Sequence, residues 1–188
     1  MNTIVKAVVA VAVGIALGLC LTWFAAMKGA MPGGIAVGPW HTSLAVGSQG
    51  GDALTRARVA LHGLLALNRS ETLYYTAATD SRGAPLDGSC SYSVSGRDPD
   101  ARWWSITAYG ADDYLIPNVA HAYSVSKNSI QRAADGSFRA TVSARPAGSN
   151  WIALQPGPFT LTLRLYNPDP TLDPAHAALP AIAKERCP

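Results

Sequence analysis

The chain has 188 residues, of which 14% are charged and 48% are hydrophobic. This composition excludes a disordered acidic or basic chain, because disordered chains combine high net charge with few hydrophobic residues. Fifteen Lys and Arg residues against twelve Asp and Glu residues give a net charge of +3 without a polybasic run, which argues against nucleic-acid binding. Seventeen glycines and thirteen prolines without a repeat period are typical of a turn-rich β protein.

The first element is a stretch of twenty uncharged residues, Ala7–Ala26, between Lys6 and Lys28. As a helix it spans about 30 Å, the thickness of the hydrocarbon core of a bilayer. Trp23 lies near its end, where an indole favours the membrane interface. We therefore predict a membrane anchor over residues 1–28. A cleaved signal peptide is the alternative, although its apolar region usually has only about 7–15 residues; a soluble core helix is a further one.

The charges that flank this span predict its orientation. Lys6 and the α-amine precede the span, whereas no cation follows Lys28 before Arg56. By the positive-inside rule, this bias places the N-terminus in the cytoplasm and the rest of the chain on the other side of the membrane.

The three cysteines are divided between the span and the rest of the chain. Cys20 lies in the span, so Cys90 and Cys187 form an even pair outside it. In an oxidising compartment the two thiols could form a disulfide. Two unrelated thiols are the alternative, because sequence does not show whether their Cα atoms approach each other.

Two segments of different composition follow the span. Residues 29–51 contain seven glycines and two prolines, which predicts a flexible linker with a short strand around Trp40–Val46. Asp52 then provides an N-cap for an amphipathic helix over Ala53–Leu67, in which leucines recur at helical spacing. We expect the apolar face of this helix to pack on a sheet, with a second membrane contact as the alternative.

Beyond this helix the hydrophobic period changes towards two, which predicts strands. Turn residues between the first two strands make them a candidate hairpin. The six predicted strands are Leu73–Thr79, Ser89–Ser95, Arg102–Tyr109, His121–Ser126, Phe138–Ser143 and Phe159–Tyr166.

The number and spacing of these strands predict the fold class. Short strands at such intervals are typical of a β-sandwich or a barrel. We place this domain at residues 52–170. The five prolines that follow Asn167 predict a C-terminal tail over residues 171–188 that runs as coil, with a helical turn at Ala175–Ala178.

Three stretches of the chain, taken together, resemble a known bacterial protein family. They are the helix-to-hairpin run RVALHGLLALNRSETLYYTAATDSRGAPLDGS, the strand-loop run RWWSITAYGADDYLIPN and the C-terminal NWIALQPGPFTLTLRLYNP. In this order they resemble the domain-of-unknown-function family 1214 over residues 52–170. The resemblance implies a mainly β fold, a jelly-roll-like β-sandwich, usually in exported or envelope proteins. It implies no accepted activity.

The chain departs from the pattern of this family at two points. Family members often carry a second uncharacterised β domain upstream, where this chain has the span and the linker. Their Asn-Trp motif is usually followed by a Leu-Pro pair, whereas Ile152-Ala153 stands here. Together with the anchor, the resemblance implies an inner-membrane protein with the bulk of its chain in the periplasm.

No motif for catalysis, cofactor binding or metal binding occurs in the sequence. The four histidines lack metal-ligand spacing, and HExxH, CxxC and Gly-x-Ser-x-Gly are absent. Asp112 and Asp113 are paired acids, for which hydrogen bonding in a turn is the simpler interpretation. We therefore predict no catalytic residues, no metal and no cofactor.

Alternation along the strand Arg102–Tyr109 separates a core face from a polar face. Trp104 shares a face with Ile106 and Ala108, so we expect it in the core. The opposite face carries hydroxyl groups and ends at Tyr109. If this strand neighbours Phe159–Tyr166, its polar face and that of its neighbour form a groove for a sugar or an anionic small molecule.

The positions shared with the family complete this candidate site. The predicted ligand-binding residues are Tyr109, Asn150, Trp151, Arg164 and Tyr166. The alternative is a structural hydrogen-bond network in which Arg164 pairs with a carboxylate such as Glu71 or Asp87, since buried Tyr and Arg side chains need partners.

Three functions remain open from the sequence. A non-catalytic module that binds a glycan or an envelope protein fits the anchor and the lack of a catalytic motif. The second is an envelope hydrolase whose site is assembled from distant residues, Asp112, Asp113, His121 and Arg164. The third is an accessory subunit of a membrane complex, because Gly14 and Gly18 form a small-xxx-small pair that permits close helix contact.

Overall fold

The computed structural model describes residues 2–28, 33–48, 51–61 and 67–187. Within these ranges the chain forms two helices, α1 (Thr3–Lys28) and α2 (Ala53–Leu61), and ten strands. The strands are β1 (Gly34–Val37), β2 (Trp40–Ser43), β3 (Thr72–Ala77), β4 (Ser91–Gly96), β5 (Ala101–Gly110), β6 (Ser124–Ser126), β7 (Phe138–Ser143), β8 (Trp151–Ala153), β9 (Phe159–Pro168) and β10 (Ala181–Arg186).

Helix α1 is a candidate membrane span. Over the 25 residues Thr3–Met27 it is long and apolar enough to cross a bilayer. The most apolar part of this stretch has no residue buried inside the structure. Its position near the N-terminus fits a membrane anchor or a signal sequence alike. Its exposed apolar side chains favour a lipid environment, in which the helix satisfies its own backbone groups.

The strands form two sheets that pack face to face. The large sheet has six strands in the order β1-β2-β3-β9-β5-β6, and the small sheet has four in the order β10-β4-β7-β8. The described strand pairs are antiparallel, apart from β7 and β8, which run parallel. The mainly β fold class and the two-sheet sandwich are therefore as predicted, whereas the jelly-roll arrangement stays a prediction.

The core lies between the two sheets. Alternation along β9 turns Leu161, Leu163 and Leu165 inward, and all three are fully buried. Rings also meet across the interface, since Trp104 of β5 stacks on Phe138 of β7 with centroids 5.0 Å apart. Trp104 is fully buried, as predicted from the alternation along its strand.

Part of the predicted linker belongs to the large sheet. β1 and β2 occupy residues 34–37 and 40–43, and β2 corresponds to the short strand expected around Trp40–Val46. Trp40 is fully buried, and its Nε1 donates to the carbonyl of Pro180 at 2.7 Å. The prediction of a flexible linker is therefore wrong for this stretch, because burial of a large aromatic side chain outweighs the flexibility of the glycines around it. The rest of the predicted linker, at residues 29–32 and 49–50, lies outside the described residues.

The first two predicted strands do not form a hairpin. β3 pairs with β2 and β9 in the large sheet, whereas β4 pairs with β7 and β10 in the small sheet. The turn between them does form, because the buried Oδ1 of Asp80 accepts the backbone N–H groups of Arg82 and Ala84 at 2.9 Å each. This turn carries the chain from one sheet to the other, so the hairpin prediction is wrong.

Helix α2 begins where the sequence predicts. Asp52 caps it, since its Oδ1 accepts the N–H of Thr55 at 2.7 Å, and this bond lowers the pKa of the Asp52 carboxyl. The predicted continuation over residues 62–66 lies outside the described residues, and Leu67 is not helical. The expected packing on a sheet is wrong for the described helix, because it contacts the end of α1, where its buried Arg58 bonds to the carbonyl of Ala25.

The C-terminal segment returns to the small sheet. β10 pairs with the edge of β4, and a disulfide joins Cys187, directly after β10, to Cys90, 97 residues earlier. The prediction of coil is therefore wrong for residues 181–186, and residues 175–178 are not helical. Pairing with a distant strand and the disulfide together outweigh the strand-breaking prolines that precede β10.

The residues before β10 also hold the large sheet. The hydroxyl of Tyr75 in β3 donates to the carbonyl of Pro174 at 3.0 Å, in addition to the bond from Trp40 to Pro180. Ser81 exchanges two hydrogen bonds with the backbone of Ile182, the first residue of β10 to face the core. The C-terminal segment thus connects the two sheets along one edge of the sandwich.

Loss of the disulfide is expected to destabilise the domain. Replacing Cys90→Ser and Cys187→Ser together should lower the free energy of unfolding by about 3 to 5 kcal/mol, because the cross-link closes a long loop in the unfolded chain. Urea unfolding followed by tryptophan fluorescence measures the change. Reduced wild-type protein is the matched control and should unfold at the same urea concentration as the double variant; an unchanged midpoint in both would contradict the expectation.

Tyr75 is expected to make stability fall at alkaline pH. Burial raises the pKa of its phenol to about 12, and the charge of Asp173 adds to this effect. The folded state therefore keeps a proton that the unfolded chain releases near pH 10. The stability gained from the neutral phenol is complete below about pH 10 and is lost as the pH rises through about 12.

Urea unfolding from about pH 8 to about pH 11 compares the wild-type protein with Tyr75→Phe, which keeps the ring and removes the titrating group. We expect the wild-type protein to lose more stability over this range than the variant. The same pH dependence in both proteins would show that another group is responsible.

Candidate functional site

The outer face of the large sheet carries polar side chains in ordered rows. Arg164 of β9 lies between Tyr74 of β3 and Ser105 of β5 in the register of the sheet. The next row towards the end of β5 pairs Thr162 with Thr107. The condition for a shared groove is therefore met: the strands of Tyr109 and Arg164 are neighbours, and the polar faces of β5 and β9 form one surface.

Arg164 extends along this surface to Tyr109. Its Nη2 donates to the hydroxyl of Tyr109 at 2.6 Å. Its Cζ lies 5.2 Å from the ring centroid of Tyr109 and 6.0 Å from that of Tyr74, within the range of a cation–π interaction. Because the side chain of Arg164 extends to Tyr109, it covers the row of Thr107 and Thr162 that lies between them. This explains why Thr107 and Thr162 are only 7% and 6% exposed on an outer face.

Arg164 has no carboxylate partner among the residues that the structure describes. The expected pairing with Glu71 or Asp87 is absent, and Oδ1 of Asp87 accepts the N–H of Ser89 instead. The described ion pairs involve other cations: Arg97, Arg132, Arg139 and His176. A guanidinium has five N–H donors, so a half-buried Arg164 held mainly by tyrosines can still bind a carboxylate or a phosphate.

An aromatic pair lies on the other side of Arg164. Tyr166 is the neighbour of Trp103 in the register, and their rings meet edge to face with centroids 5.2 Å apart. Both side chains are partly exposed. Trp103 and Tyr74 are absent from the predicted site residues. The alternation of β5 is a signal that could have found Trp103, which shares a face with Tyr109. The position of Tyr74 follows only from the pairing of β3 with β9.

The structure does not bring Asn150 and Trp151 to this surface. Oδ1 of Asn150 accepts the N–H of Gln131 at 2.8 Å, and its Nδ2 donates to the carbonyls of Gln131 and Arg139 at 2.7 and 3.0 Å. Nε1 of Trp151 donates to the carbonyl of Ser143 at 3.0 Å. Both side chains bond to backbone at the edge of the small sheet, so a role in binding at Arg164 has no geometric support.

Asn150 also lines an open groove of about 720 Å³ on the small sheet. Arg97 and Arg139 lie in the same groove. Each is exposed and has a carboxylate nearby. Nη1 of Arg139 lies 3.2 Å from Oε1 of Glu185, and Nη2 of Arg97 lies 4.0 Å from Oδ2 of Asp135. The charges of this groove are thus largely compensated, which distinguishes it from the surface around Arg164.

The residues of the hydrolase hypothesis are not assembled. Oδ1 of Asp112 accepts the N–H of Tyr114 at 3.1 Å in the turn after β5, which fits the interpretation as a turn acid; Asp113 follows it with a positive φ of 63°. His121 is exposed, and its Nδ1 lies 3.4 Å from the hydroxyl of Tyr123. Among the described residues, neither Asp112 nor His121 bonds to Arg164, so this hypothesis gains no structural support.

The side chains that could bind a metal are dispersed over the same described ranges. No group of three or more His, Cys, Asp and Glu side chains lies close enough there to hold a metal ion.

The fold and the sequence together define the family. The protein has a two-sheet β-sandwich behind one long apolar helix. Residues 71–170 match the family described as "Protein of unknown function (DUF1214)". The chain belongs to this family, as the three quoted stretches predict.

Two solved structures are similar to this chain. The VPA0106 protein from Vibrio parahaemolyticus is 24% identical with a TM-score of 0.62, over 73% of this chain and 36% of that protein. An uncharacterized protein from Burkholderia cenocepacia is 23% identical with a TM-score of 0.44, over 61% of this chain and 29% of that protein. The Vibrio likeness shows the fold, and this chain spans about a third of the length of that protein. No curated protein matches the chain.

The side chain of Asn150 is expected to stabilise the fold. Asn150→Ala should lower the free energy of unfolding by about 1 to 3 kcal/mol, because it leaves backbone groups of Gln131 and Arg139 without their partner. Urea unfolding measures the change. Asn128→Ala is the matched control, since this asparagine is exposed and makes no side-chain hydrogen bond in the part of the chain that the structure describes. Equal stability of the two variants would contradict the assignment.

Proposed function

We propose that the protein is a non-catalytic binding module of the bacterial envelope, held at the inner membrane by α1 with the sandwich on the periplasmic side. The charges that flank α1 support this orientation, since the cation before the span favours a cytoplasmic N-terminus. The disulfide between Cys90 and Cys187 supports an oxidising compartment for the sandwich.

The ligand that this surface fits best is an acidic glycan. The observation that carries the proposal is the half-buried Arg164, which has no carboxylate partner among the described residues and is held by Tyr109 at 2.6 Å. A carboxylate on the ligand supplies the missing anion through charge-assisted hydrogen bonds. The bond to Tyr109 restricts the arginine before binding, which lowers the entropy lost when the ligand binds.

The surroundings of Arg164 favour a saccharide as the carrier of that acid. The hydroxyl of Tyr109 lies beside the guanidinium of Arg164, and the rings of Trp103 and Tyr166 lie one row away in the register. Partly exposed aromatic rings offer an apolar surface with a polar edge, which suits the apolar face of a sugar ring whose hydroxyls point to polar neighbours. An acidic sugar thus meets a cation, a hydroxyl and an aromatic surface within adjacent rows.

The test measures binding of oligosaccharides to the full-length protein in detergent by calorimetry, with uronic-acid and neutral oligosaccharides of equal length as matched ligands. We expect the acidic series alone to bind. Arg164→Gln should weaken binding by about 10- to 100-fold, because it removes a hydrogen bond to a charged group, and Tyr109→Phe should weaken it by a few-fold.

Arg139→Gln is the control variant, because this arginine is also on the outer face of a strand but lies on the small sheet. It should bind as the wild-type protein does. Binding of neutral and acidic ligands with equal affinity, or full affinity in Arg164→Gln, would contradict the proposal. Inorganic phosphate as a competitor separates recognition of a carboxylate-bearing sugar from recognition of any anion.

A further inference from the structure

Helix α2 meets the C-terminal end of α1 through a buried arginine. Nε and Nη2 of Arg58 donate to the carbonyl of Ala25 at 3.2 and 2.5 Å. Arg58 is 5% exposed, Thr55 one turn before it is 2% exposed, and Ala26 is 7% exposed. By contrast, residues 2–24 are exposed throughout. The contact is therefore confined to the last turn of α1 and one face of α2.

The carbonyl of Ala25 needs a partner from outside its own helix. The last four carbonyls of an α-helix have no partner within it, and α1 ends at Lys28. A guanidinium at this place satisfies such a carbonyl and complements the negative end of the helix dipole. Conversely, a buried guanidinium is costly unless it is hydrogen-bonded. The Ala25 carbonyl of α1 is thus one of the partners that stabilise the buried guanidinium of Arg58.

The beginning of α2 is fixed independently of this contact. Asp52 caps the helix through Thr55, and Nε of Arg56 donates to the carbonyl of Gly51 at 3.0 Å. Beyond the helix, the hydroxyl of Tyr74 in β3 accepts the N–H of Leu67 at 3.2 Å. Before the helix, the N–H of Gly51 donates to the carbonyl of Ser48, a few residues after β2. The start of α2 is thus held close to β2, and its buried Arg58 contacts α1.

The contact lies at the level of the membrane surface if α1 spans the bilayer. Trp23 precedes Ala25 by two residues, and an indole favours the interface between hydrocarbon and water. A guanidinium at that depth lies among lipid headgroups, where its charge remains favourable. Arg58 then lies at the end of the span that faces away from the N-terminus.

We propose that Arg58 is a positioning residue that fixes α2 to the membrane end of α1, so that α1 is retained in the mature protein and the sandwich has a fixed orientation at the bilayer surface. Cleavage of α1 as a signal sequence would leave the guanidinium of Arg58 without the Ala25 carbonyl. The proposal is independent of the ligand that binds at Arg164.

Hydrogen exchange of the full-length protein in phospholipid nanodiscs, read by mass spectrometry, tests this role. In Arg58→Gln we expect the amides of α2 and those of the last turn of α1 to exchange about tenfold faster or more, because a hydrogen bond from a charged group is lost on both sides of the contact. Arg58→Lys keeps the charge without the two-donor fork and should give an intermediate increase at both places.

Arg56→Gln is the matched control, because this arginine lies on the same helix and its side chain bonds to Gly51 next to its own N-terminus. It should change exchange only in the first turn of α2. Faster exchange of α2 alone in Arg58→Gln would make Arg58 a local residue of that helix and would overturn the proposal. N-terminal sequencing of protein purified from membranes gives a second outcome: a mature chain that begins after Ala26 would also overturn it.

Discussion

The structure depends on the C-terminal segment, which joins the two sheets along one edge of the sandwich. Trp40 and Tyr75 are large, fully buried side chains of the large sheet, and each has one polar atom. The carbonyls of Pro180 and Pro174 accept hydrogen bonds from these atoms. Leaving either atom unsatisfied costs about 1 to 3 kcal/mol. The same segment then enters the small sheet as β10. One stretch of chain therefore holds the two sheets against each other.

The packing of the two sheets against each other also positions the candidate site. Arg164 lies on β9 between Leu163 and Leu165, which are fully buried against the small sheet. Because alternate residues of a strand point to opposite faces, burial of the two leucines directs Arg164 outward. Its cation therefore stands on a rigid strand in the interior of the large sheet, with Tyr109 as its neighbour. This combination of a fixed backbone and a cation without a carboxylate partner among the described residues supports the proposed binding function.

The sequence predicts the elements whose signal is local. β5, β7 and β9 were predicted almost to their ends, because their hydrophobic residues alternate over six or more positions. β1, β8 and β10 were missed, since they are short or follow glycine or proline and are held by distant partners. The same difference between local and distant signals applies to the residues of the candidate site. Alternation predicted the shared face of Tyr109 and Arg164, but family resemblance grouped Asn150 and Trp151 with them, although these two positions serve the backbone of the small sheet.

The separation of the two bonded cysteines has a consequence for the order in which the chain is assembled. Cys187 follows Cys90 by 97 residues, and ribosomes add about 5 to 20 residues per second. Cys90 therefore remains a reactive thiol for a time on the order of ten seconds after it is made. Over the same interval the outer edge of β4 lacks its neighbour, since β10 arrives last. A cell that makes this protein must shield both the thiol and the open edge until synthesis reaches that final strand.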